Sequence, residues 1–465
     1  MKDKACVLGR RHLTSVPPRT QAEIMLSNRA VRCAPKAHPC PACGRAARRQ
    51  RLLRRRLRSL AYRQEAYLDI HYAEYRCRPC RRSFRSWPLD VPAKSSYCPL
   101  VRRAVLDRLL RDGLNVERAR QAMRRDFLLE LSPGFVYDCL RWELRRLDLP
   151  VQRRRTLERF SGTLCVDELH LGKHTLLLAT DPLADEVIGF ALVGENDLAH
   201  MRRFLLALRA HGFLPEMVVT DGSNLYPPAL AEVWPHARHQ LCVFHALKCL
   251  NEKVLDAARR LRRVCARRGK AGRKRKAGRP RKGAERRGRK ASEGPTNKEK
   301  AAFVYRRRHL VVKRSEALDD QERADLEKMF GYLPGLRVLW KFSQDVYQAW
   351  GTDQALKVAR WRWARLRNDP GYQGVPELKK ALGWLTDQRL EKTLAFLGRP
   401  KGERQRTNNH VERMNRKLRF DEKVRYRWRG RKSIVRWVLL RISCHVPRPR
   451  AYGPQPPPAA RNEGG

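Results

Sequence analysis

Residues 163–194 read TLCVDELHLGKHTLLLATDPLADEVIGFALVG and contain three apolar runs in close succession. The runs at 163–169, 174–182 and 186–194 are short, and polar or glycine residues separate them. Short apolar runs with turn residues between them are typical of strands that are buried in a sheet. The stretch therefore predicts three consecutive strands at the centre of a folded domain.

The elements that follow predict a mixed α/β fold. Residues 198–208 carry leucine and methionine at helical spacing, so a helix follows the third strand. A short apolar strand at 215–223, a short helix at 226–235 and a strand-like run at 237–245 come next. Three strands, a helix, a strand, a helix and a strand are the order of an RNase H-like core with a mixed sheet.

Two aspartates lie within or at the end of predicted strands. Asp167 is inside the first apolar run, and Asp221 follows Thr220 at the end of the apolar residues 217–219. A carboxylate in a core strand is costly unless it is neutralised, hydrogen-bonded or bound to a metal. Each aspartate alone could simply cap a turn. Together they place two acids on one sheet, and ligands bind at strand ends in open α/β sheets.

A third acid comes from the segment TNNHVERMNRKLR at 407–419. The segment predicts a helix with a buried stripe at i, i+3 and i+7. The stripe consists of Val411, Met414 and Leu418. Glu412 lies about 100° round the helix from Val411, where it can point into a cleft at the sheet edge. A local ion pair between Glu412 and Arg416 is the alternative.

Three carboxylates that converge need a cation. At about 5 Å they repel by roughly 3 kcal/mol per pair when the effective dielectric constant is about 20. Hard oxygen ligands select Mg²⁺ or Mn²⁺, and two ions about 4 Å apart can stabilise both the attacking and the leaving oxygen in phosphodiester chemistry. We therefore predict that Asp167, Asp221 and Glu412 hold two Mg²⁺ or Mn²⁺ ions in a catalytic site.

Two Cys-x-x-Cys pairs near the start of the chain predict a zinc ribbon. The pairs are Cys40 with Cys43 and Cys77 with Cys80. Four thiolates at this spacing make a closed tetrahedral zinc site, and zinc binding supplies folding energy that so short a module lacks. Chance pairs of structural cysteines are the alternative, and Cys33 and His38 lie near enough to compete as ligands.

Residues 97–150 predict three short helices. Apolar residues recur at helical spacing, Asn115 can cap the second helix, and Ser132 can cap the third. Short helices with many arginines are typical of a helix-turn-helix domain, in which Arg141 and Arg145 would be available to a DNA groove or backbone. A three-helix spacer with solvated arginines is the alternative.

The charge of the chain indicates a polyanionic partner. There are 102 Lys and Arg residues against 47 Asp and Glu residues, a formal net charge of +55. Each phosphate that a protein neutralises releases counterions, so we predict double-stranded DNA as the partner. We find no apolar run long enough for a membrane span and no apolar leader. We therefore expect the protein in the cytoplasm, associated with the nucleoid.

A strongly basic segment lies at 259–290, with eighteen Lys or Arg residues and one Glu. Its glycines and Pro280 break helical periodicity, so the segment predicts a disordered or loosely ordered loop. The hexamer GRPRKG within it is similar to an AT-hook, in which Arg279 and Arg281 would enter a narrow minor groove. A generic phosphate-binding loop is the alternative.

These patterns predict six segments along the chain. They are a zinc ribbon at 33–92, a helix-turn-helix domain at 97–150, a first part of the RNase H-like core at 158–250, a basic loop and α-helical insertion at 251–400, a second part of the core at 401–446, and a disordered tail at 447–465. The insertion would separate Asp221 from Glu412.

The layout resembles bacterial insertion-sequence transposases of the ISL-three family and, more loosely, Mutator-like transposases. The resemblance covers roughly residues 33–445 and is carried by motifs in a fixed order. The motifs are CPAC at 40–43, CRPC at 77–80, VDE at 166–168, VVTDGS at 218–223, CVFH at 242–245 and TNNHVERMNRKLR at 407–419.

The resemblance implies that Asp167, Asp221 and Glu412 form a DDE triad. In such relatives a Cys-x-x-His motif follows the second aspartate, here Cys242 and His245. His245 is then expected near the cleft, where it would touch DNA or position the scissile phosphate. Burial of Cys242 as a small core residue is the alternative.

Three functions are compatible with these motifs. The first is a transposase that binds the terminal inverted repeats of its element, cuts them and joins them to target DNA, with Arg413, Arg416 and Lys417 around Glu412 in contact with DNA. Because two element ends must be paired, a homodimer is the expected assembly. The others are an inactive DNA-binding regulator and a nuclease without strand transfer. The presence of all three acids favours the enzyme.

Overall fold

The computed structural model describes residues 30–88, 91, 94–271, 294–425 and 430–443. The chain is a mixed α/β protein that divides into two compact units. The first unit takes its residues from 1–149 and 417–446, and the second takes its residues from 150–416 and 447–465. No helix in the described ranges combines the length and the apolar character that crossing a bilayer requires.

Helices accompany the sheets in both units. In chain order they are α1 (Pro99–Leu110), α2 (Val116–Phe127), α3 (Pro133–Arg146), α4 (Leu149–Glu158), α5 (Leu198–Ala210), α6 (Tyr226–Val233), α7 (Val243–Ala271), α8 (Asn297–Arg307), α9 (Asp320–Tyr332), α10 (Gly335–Ala349), α11 (Leu356–Asn368), α12 (Pro370–Gln373), α13 (Pro376–Trp384), α14 (Asp387–Leu394), α15 (Asn409–Val424) and α16 (Arg431–Ser443). Helices α7 to α14 account for most of the segment predicted as a helical insertion.

The first unit contains a five-stranded sheet built around a long hairpin. Its strands are β1 (Ala30–Cys33), β2 (Ala37–Pro39), β3 (Ala46–Arg58), β4 (Tyr67–Arg76) and β5 (Ser83–Arg85). They lie in the order β1-β4-β3-β2, and β5 also pairs with β4. Because β3 and β4 are antiparallel and adjacent in the chain, they bring the segments beyond their ends together. Those segments carry the two cysteine pairs.

The three helices predicted at 97–150 are α1, α2 and α3. Asn115 and Ser132 cap α2 and α3 as predicted, since their side chains accept the backbone N–H groups of Arg118 and Phe135. The apolar faces of the helices share a core with the hairpin and with α16. Members of this core are Leu57, Leu68, Ile70, Val105, Met123, Val136 and Trp437.

The second unit contains the sheet predicted around residues 163–194. Its strands are β6 (Thr163–Leu171), β7 (His174–Asp181), β8 (Glu186–Val193), β9 (Met217–Thr220) and β10 (Arg238–Leu241). Their order across the sheet is β10-β9-β6-β7-β8. Strand β7 is antiparallel to both of its neighbours, β6 and β8. Strand β9 is parallel to β6, and β10 is parallel to β9. Apolar residues of the sheet pack with α5 and α6 in one core.

One predicted strand is shorter than expected. The strand-like run at 237–245 forms a strand only as far as Leu241, and α7 begins at Val243. Its last residues, which include Cys242 and His245, therefore lie at the turn into α7 and in its first turn. This places the Cys-x-x-His motif at the start of a helix.

The loop predicted from residue 259 is wrong in its first part, because α7 continues to Ala271. Buried Val254, Ala258 and Cys265 line one face of the helix, so packing stabilises this helix although seven of the thirteen residues at 259–271 are basic. Arg279 and Arg281 of the predicted AT-hook lie outside the described residues, as does the predicted tail at 447–465.

Helix α15 is anchored to β6 by Asn408, the residue that precedes it. The Asn408 side-chain amide donates to the carbonyl oxygen of Val166 at 3.0 Å, and the Asn408 backbone N–H donates to Sγ of Cys242 at 3.3 Å. The predicted buried stripe of the helix is confirmed, because its three members are all buried: Val411, Met414 and Leu418. The first turn of α15 thus lies beside the strand that carries Asp167.

Candidate active site

Three acidic side chains converge just beyond the paired stretch of β6 and β9. The parallel register joins Thr163 to Met217 and Cys165 to Val219. Asp167 and Asp221 therefore stand at corresponding positions, two residues further along each chain. One carboxylate oxygen from each of these two aspartates and one from Glu168 lie within 4.8 Å of one another. The structure thus brings the two predicted aspartates together and adds a third acid.

Asp167 has a carboxyl group in a buried and acidic environment. Burial raises the pKa of Asp167 to about 7, and the negative charges of Glu168, Asp221 and Glu412 act in the same direction. The side-chain amide of Asn415 donates to Oδ2 of Asp167 at 2.8 Å. The metal-free carboxyl therefore takes up a proton at a higher pH than an ordinary aspartate. A divalent cation bound at the cluster would displace this proton.

Sequence reasoning missed Glu168 and the residues that hold it. The Tyr226 hydroxyl donates to Oε2 of Glu168 at 2.6 Å, and the Asn196 side-chain amide donates to Oε1 at 3.5 Å. Burial raises the pKa of Glu168. Neighbouring residues of a strand point to opposite faces, so adjacency to Asp167 does not predict a shared site. The sequence signal that was present is a second acid in a buried strand.

Glu412 lies beside this cluster and approaches a different pair of residues. One of its carboxylate oxygens lies within 4.8 Å of Sγ of Cys242 and of a ring nitrogen of His245. The sulfur and the ring nitrogen also lie within 4.8 Å of each other. The distance from Glu412 Oε1 to His245 Nδ1 is 3.9 Å. Glu412 still raises the pKa of Asp167 through its charge. Cys242 is buried and His245 is partly exposed.

A family model described as a transposase, DDE_Tnp_ISL3, matches residues 164–434, which is more than half of the chain. The chain belongs to this transposase family. No curated protein matches it. The resemblance found in the sequence is therefore confirmed at the level of the family, which implies a role in transposition and a DNA substrate. The matched range includes Asp167, Asp221, His245 and Glu412, whereas the four cysteines of the predicted ribbon precede it.

The four predicted ribbon cysteines form one group in this transposase family member. Sγ atoms of Cys40, Cys43, Cys77 and Cys80 all lie within 4.8 Å of one another, and Cys33 is not part of the group. Backbone N–H groups of Ala42 and Cys43 lower the pKa of Cys40 to about 7, which favours the thiolate that binds metal. The first knuckle turns at Gly44, where φ is +71°. Four sulfur donors fit a zinc ion.

Five of the basic residues predicted to contact DNA are on the surface. They are Arg141, Arg145, Arg413, Arg416 and Lys417, and all five are exposed. Arg141 lies 3.7 Å from the carboxylate of Asp138, an exposed pair of little energetic value. These side chains are therefore accessible to a phosphate backbone.

If Asp167 is a metal ligand of a DNA-cleaving enzyme, as the sequence predicts, replacing Asn415 with alanine should slow DNA cleavage by about 10- to 100-fold, because residues that orient such a ligand have effects of this size. The variant loses the N–H donor to Asp167 and should weaken Mn²⁺ binding together with kcat. Asn415→Asp should not restore activity, since an ionised carboxylate accepts hydrogen bonds and adds repulsion. Metal titrations followed by cleavage rates would measure both effects. The control is Asn251→Ala, which removes a partly buried side-chain amide from α7. Equal losses of cleavage rate in both variants would contradict a positioning role for Asn415.

Asp167→Asn should stabilise the protein in magnesium-free buffer. The pKa of Asp167 is raised to about 7 in the folded chain, so ionisation of this group favours the unfolded state as pH rises from about 4 to about 7. The stabilisation by Asn should therefore be small near pH 4, increase up to pH 7 and then remain constant. Thermal unfolding at several pH values in magnesium-free buffer would measure it. A difference that shrinks with rising pH would contradict the shifted pKa.

Proposed function

We propose that this family member is an active DNA transposase that binds the terminal inverted repeats of its mobile element and catalyses Mg²⁺-dependent cleavage and strand transfer by a two-metal DDE mechanism. The observation that supports it most directly is the convergence of Asp167 and Asp221. Glu412, in the first turn of α15, is near enough for its charge to raise the pKa of Asp167. Family membership supplies the reaction class, and these carboxylates supply ligands for it.

The carboxylates suit magnesium in number and in kind. They offer hard oxygen donors, and the raised pKa of Asp167 reflects burial and like charge that a divalent cation would offset. When bound, two Mg²⁺ ions would activate the attacking oxygen and stabilise the leaving oxygen. Asp167 and Asp221 would hold them from the sheet and Glu412 from α15. Asn415 would fix the orientation of Asp167.

We assign the catalytic domain to an RNase H-like core formed by residues 158–250 and 401–416, with the helical insertion at 251–400 between them. The described residues of 417–446, which the sequence placed with this core, fold with the first unit. The strand order β10-β9-β6-β7-β8 supports the RNase H-like assignment. In this sheet β6, β7 and β8 are antiparallel in succession, whereas β9 is parallel to β6 and β10 is parallel to β9. Asn408 also supports it, because its hydrogen bond to Val166 joins the segment after the insertion to the central strand.

We assign recognition of the terminal repeats to a zinc ribbon at 33–92 and a helix-turn-helix domain at 97–150. The four-cysteine group and the three helices α1 to α3, of which α2 and α3 are capped, support these roles. Residues proposed to contact DNA are Arg141, Arg145, His245, Arg279, Arg281, Arg413, Arg416 and Lys417. We further propose that a homodimer pairs the two element ends, in the cytoplasm and at the nucleoid.

A cleavage and joining assay tests the proposal. The full chain is mixed with labelled element ends and target DNA, with and without Mg²⁺, in a buffer that leaves zinc in place. We expect nicked ends and joined products only with Mg²⁺. Binding without any nick would indicate a regulator, and nicks without joined product would indicate a nuclease. Either result would contradict the proposed function.

A further inference from the structure

We propose that Cys242, His245 and Glu412 form a separate binding site for zinc or a similar divalent transition metal, which holds Glu412 away from the magnesium cluster and so inhibits the enzyme. Its regulatory consequence rests on the proposed function, because Glu412 is there a ligand of the catalytic ions. The binding site itself rests on geometry and can be measured without any DNA reaction.

The three side chains meet at the start of two helices. Cys242 precedes α7, His245 lies in the first turn of α7, and Glu412 lies in the first turn of α15. Residues three apart at a helix start point to the same side, so the sulfur and the imidazole face one region. A ligand atom from each of the three residues lies within 4.8 Å of the other two.

Two buried atoms in this group face each other at a distance too long for a hydrogen bond. His245 Nδ1 and Glu412 Oε1 are 3.9 Å apart, and neither has a hydrogen-bond partner among the residues that the structure describes. Polar atoms buried in this way are costly. A metal ion bound to both would remove that cost. In tetrahedral zinc the two atoms would be roughly 3.4 Å apart, so they would have to approach each other by about 0.5 Å.

The donor types select a different metal from the acidic cluster. One sulfur, one nitrogen and one oxygen suit zinc and similar ions, whereas magnesium takes oxygen ligands. Three protein ligands also leave a fourth position open for water. Burial raises the pKa of Cys242, whereas the Asn408 backbone N–H, which donates to Sγ at 3.3 Å, favours the thiolate and fixes its position. Binding releases the thiol proton to solvent.

Zinc content provides the direct test. The full chain is equilibrated with zinc, desalted and analysed for metal. We expect about two zinc ions per chain, one at the four cysteines and one at this site, and about one ion in Cys242→Ser or His245→Ala. The control is Cys249→Ser, which removes a half-buried thiol from the same helix and should retain both ions. Unchanged zinc content in Cys242→Ser and His245→Ala would overturn the proposal.

Inhibition provides the second readout. At fixed Mg²⁺, added zinc should slow cleavage by the wild type more than about tenfold and should slow Cys242→Ser far less, because Glu412 then remains available to the cluster. Equal inhibition of both proteins would overturn the regulatory role. Should the wild type cleave no DNA at all, the proposed function fails, while the zinc content still decides whether the site exists.

Discussion

Replacing Asp167 or Asp221 with asparagine, or Glu412 with glutamine, should lower DNA cleavage by at least about 10³-fold, which corresponds to about 4 kcal/mol of lost transition-state stabilisation. Each change removes one charged ligand while it keeps the size of the side chain. Affinity for the terminal repeats should remain close to wild type, since recognition is assigned to other parts of the chain. Rates from labelled ends and affinities from gel mobility shifts would measure the two properties.

The control for these variants is Glu232→Gln, which removes an exposed acid from α6 in the same unit. It should cleave at the wild-type rate. Wild-type activity in any of the three ligand variants would remove that residue from the catalytic site. Glu412→Gln is the most informative, because Glu412 lies beside the two aspartates and approaches His245. A small effect of this variant alone would indicate that a different acid, such as Glu168, completes the cluster.

Cys77→Ser should unfold the cysteine end of the first sheet. The apolar cluster at that end is small, since its buried members are Cys40, Ala47, Ala73, Tyr75 and Cys77. The opposite end of the β3–β4 hairpin packs into the large helical core through Leu57, Leu68 and Ile70. Zinc binding contributes on the order of 10 kcal/mol in comparable sites, more than so small a cluster supplies. We therefore expect local unfolding near the cysteines and a folded far end.

Amide hydrogen exchange would reveal this difference along β3 and β4, and metal analysis would show the loss of one zinc ion. Binding to the terminal repeats should weaken in the same variant, because the ribbon no longer presents a folded surface. Cys33→Ser is the matched control, since Cys33 is nearby and outside the four-cysteine group. If the Cys77→Ser variant kept its amide protection near the cysteines, this would show that the sheet folds without metal there.

Local patterns in the sequence were sufficient for the elements that carry the site. The sequence predicted the strand around Asp167, the buried stripe of α15, the caps at Asn115 and Ser132, and the grouping of the two cysteine pairs. Each depends on neighbouring residues, because strand alternation, helical periodicity and capping are properties of a short piece of backbone. The sequence did not predict that α7 continues to Ala271, since buried residues on one face stabilise this part of the helix despite its basic composition.

By itself, the sequence determined which acids stand on strands and which acid stands on a helix. Only the tertiary structure decided which of them meet. Asn415 reaches Asp167, and Tyr226 reaches Glu168, across gaps that no local pattern spans. Likewise, Glu412 has a carboxylate oxygen within 4.8 Å of ligand atoms of Cys242 and His245. Asn408 hydrogen-bonds to both β6 and Cys242, at the start of α7. Such contacts depend on how helices pack against a sheet. The spacing of residues along the chain does not specify which side chains that packing brings together.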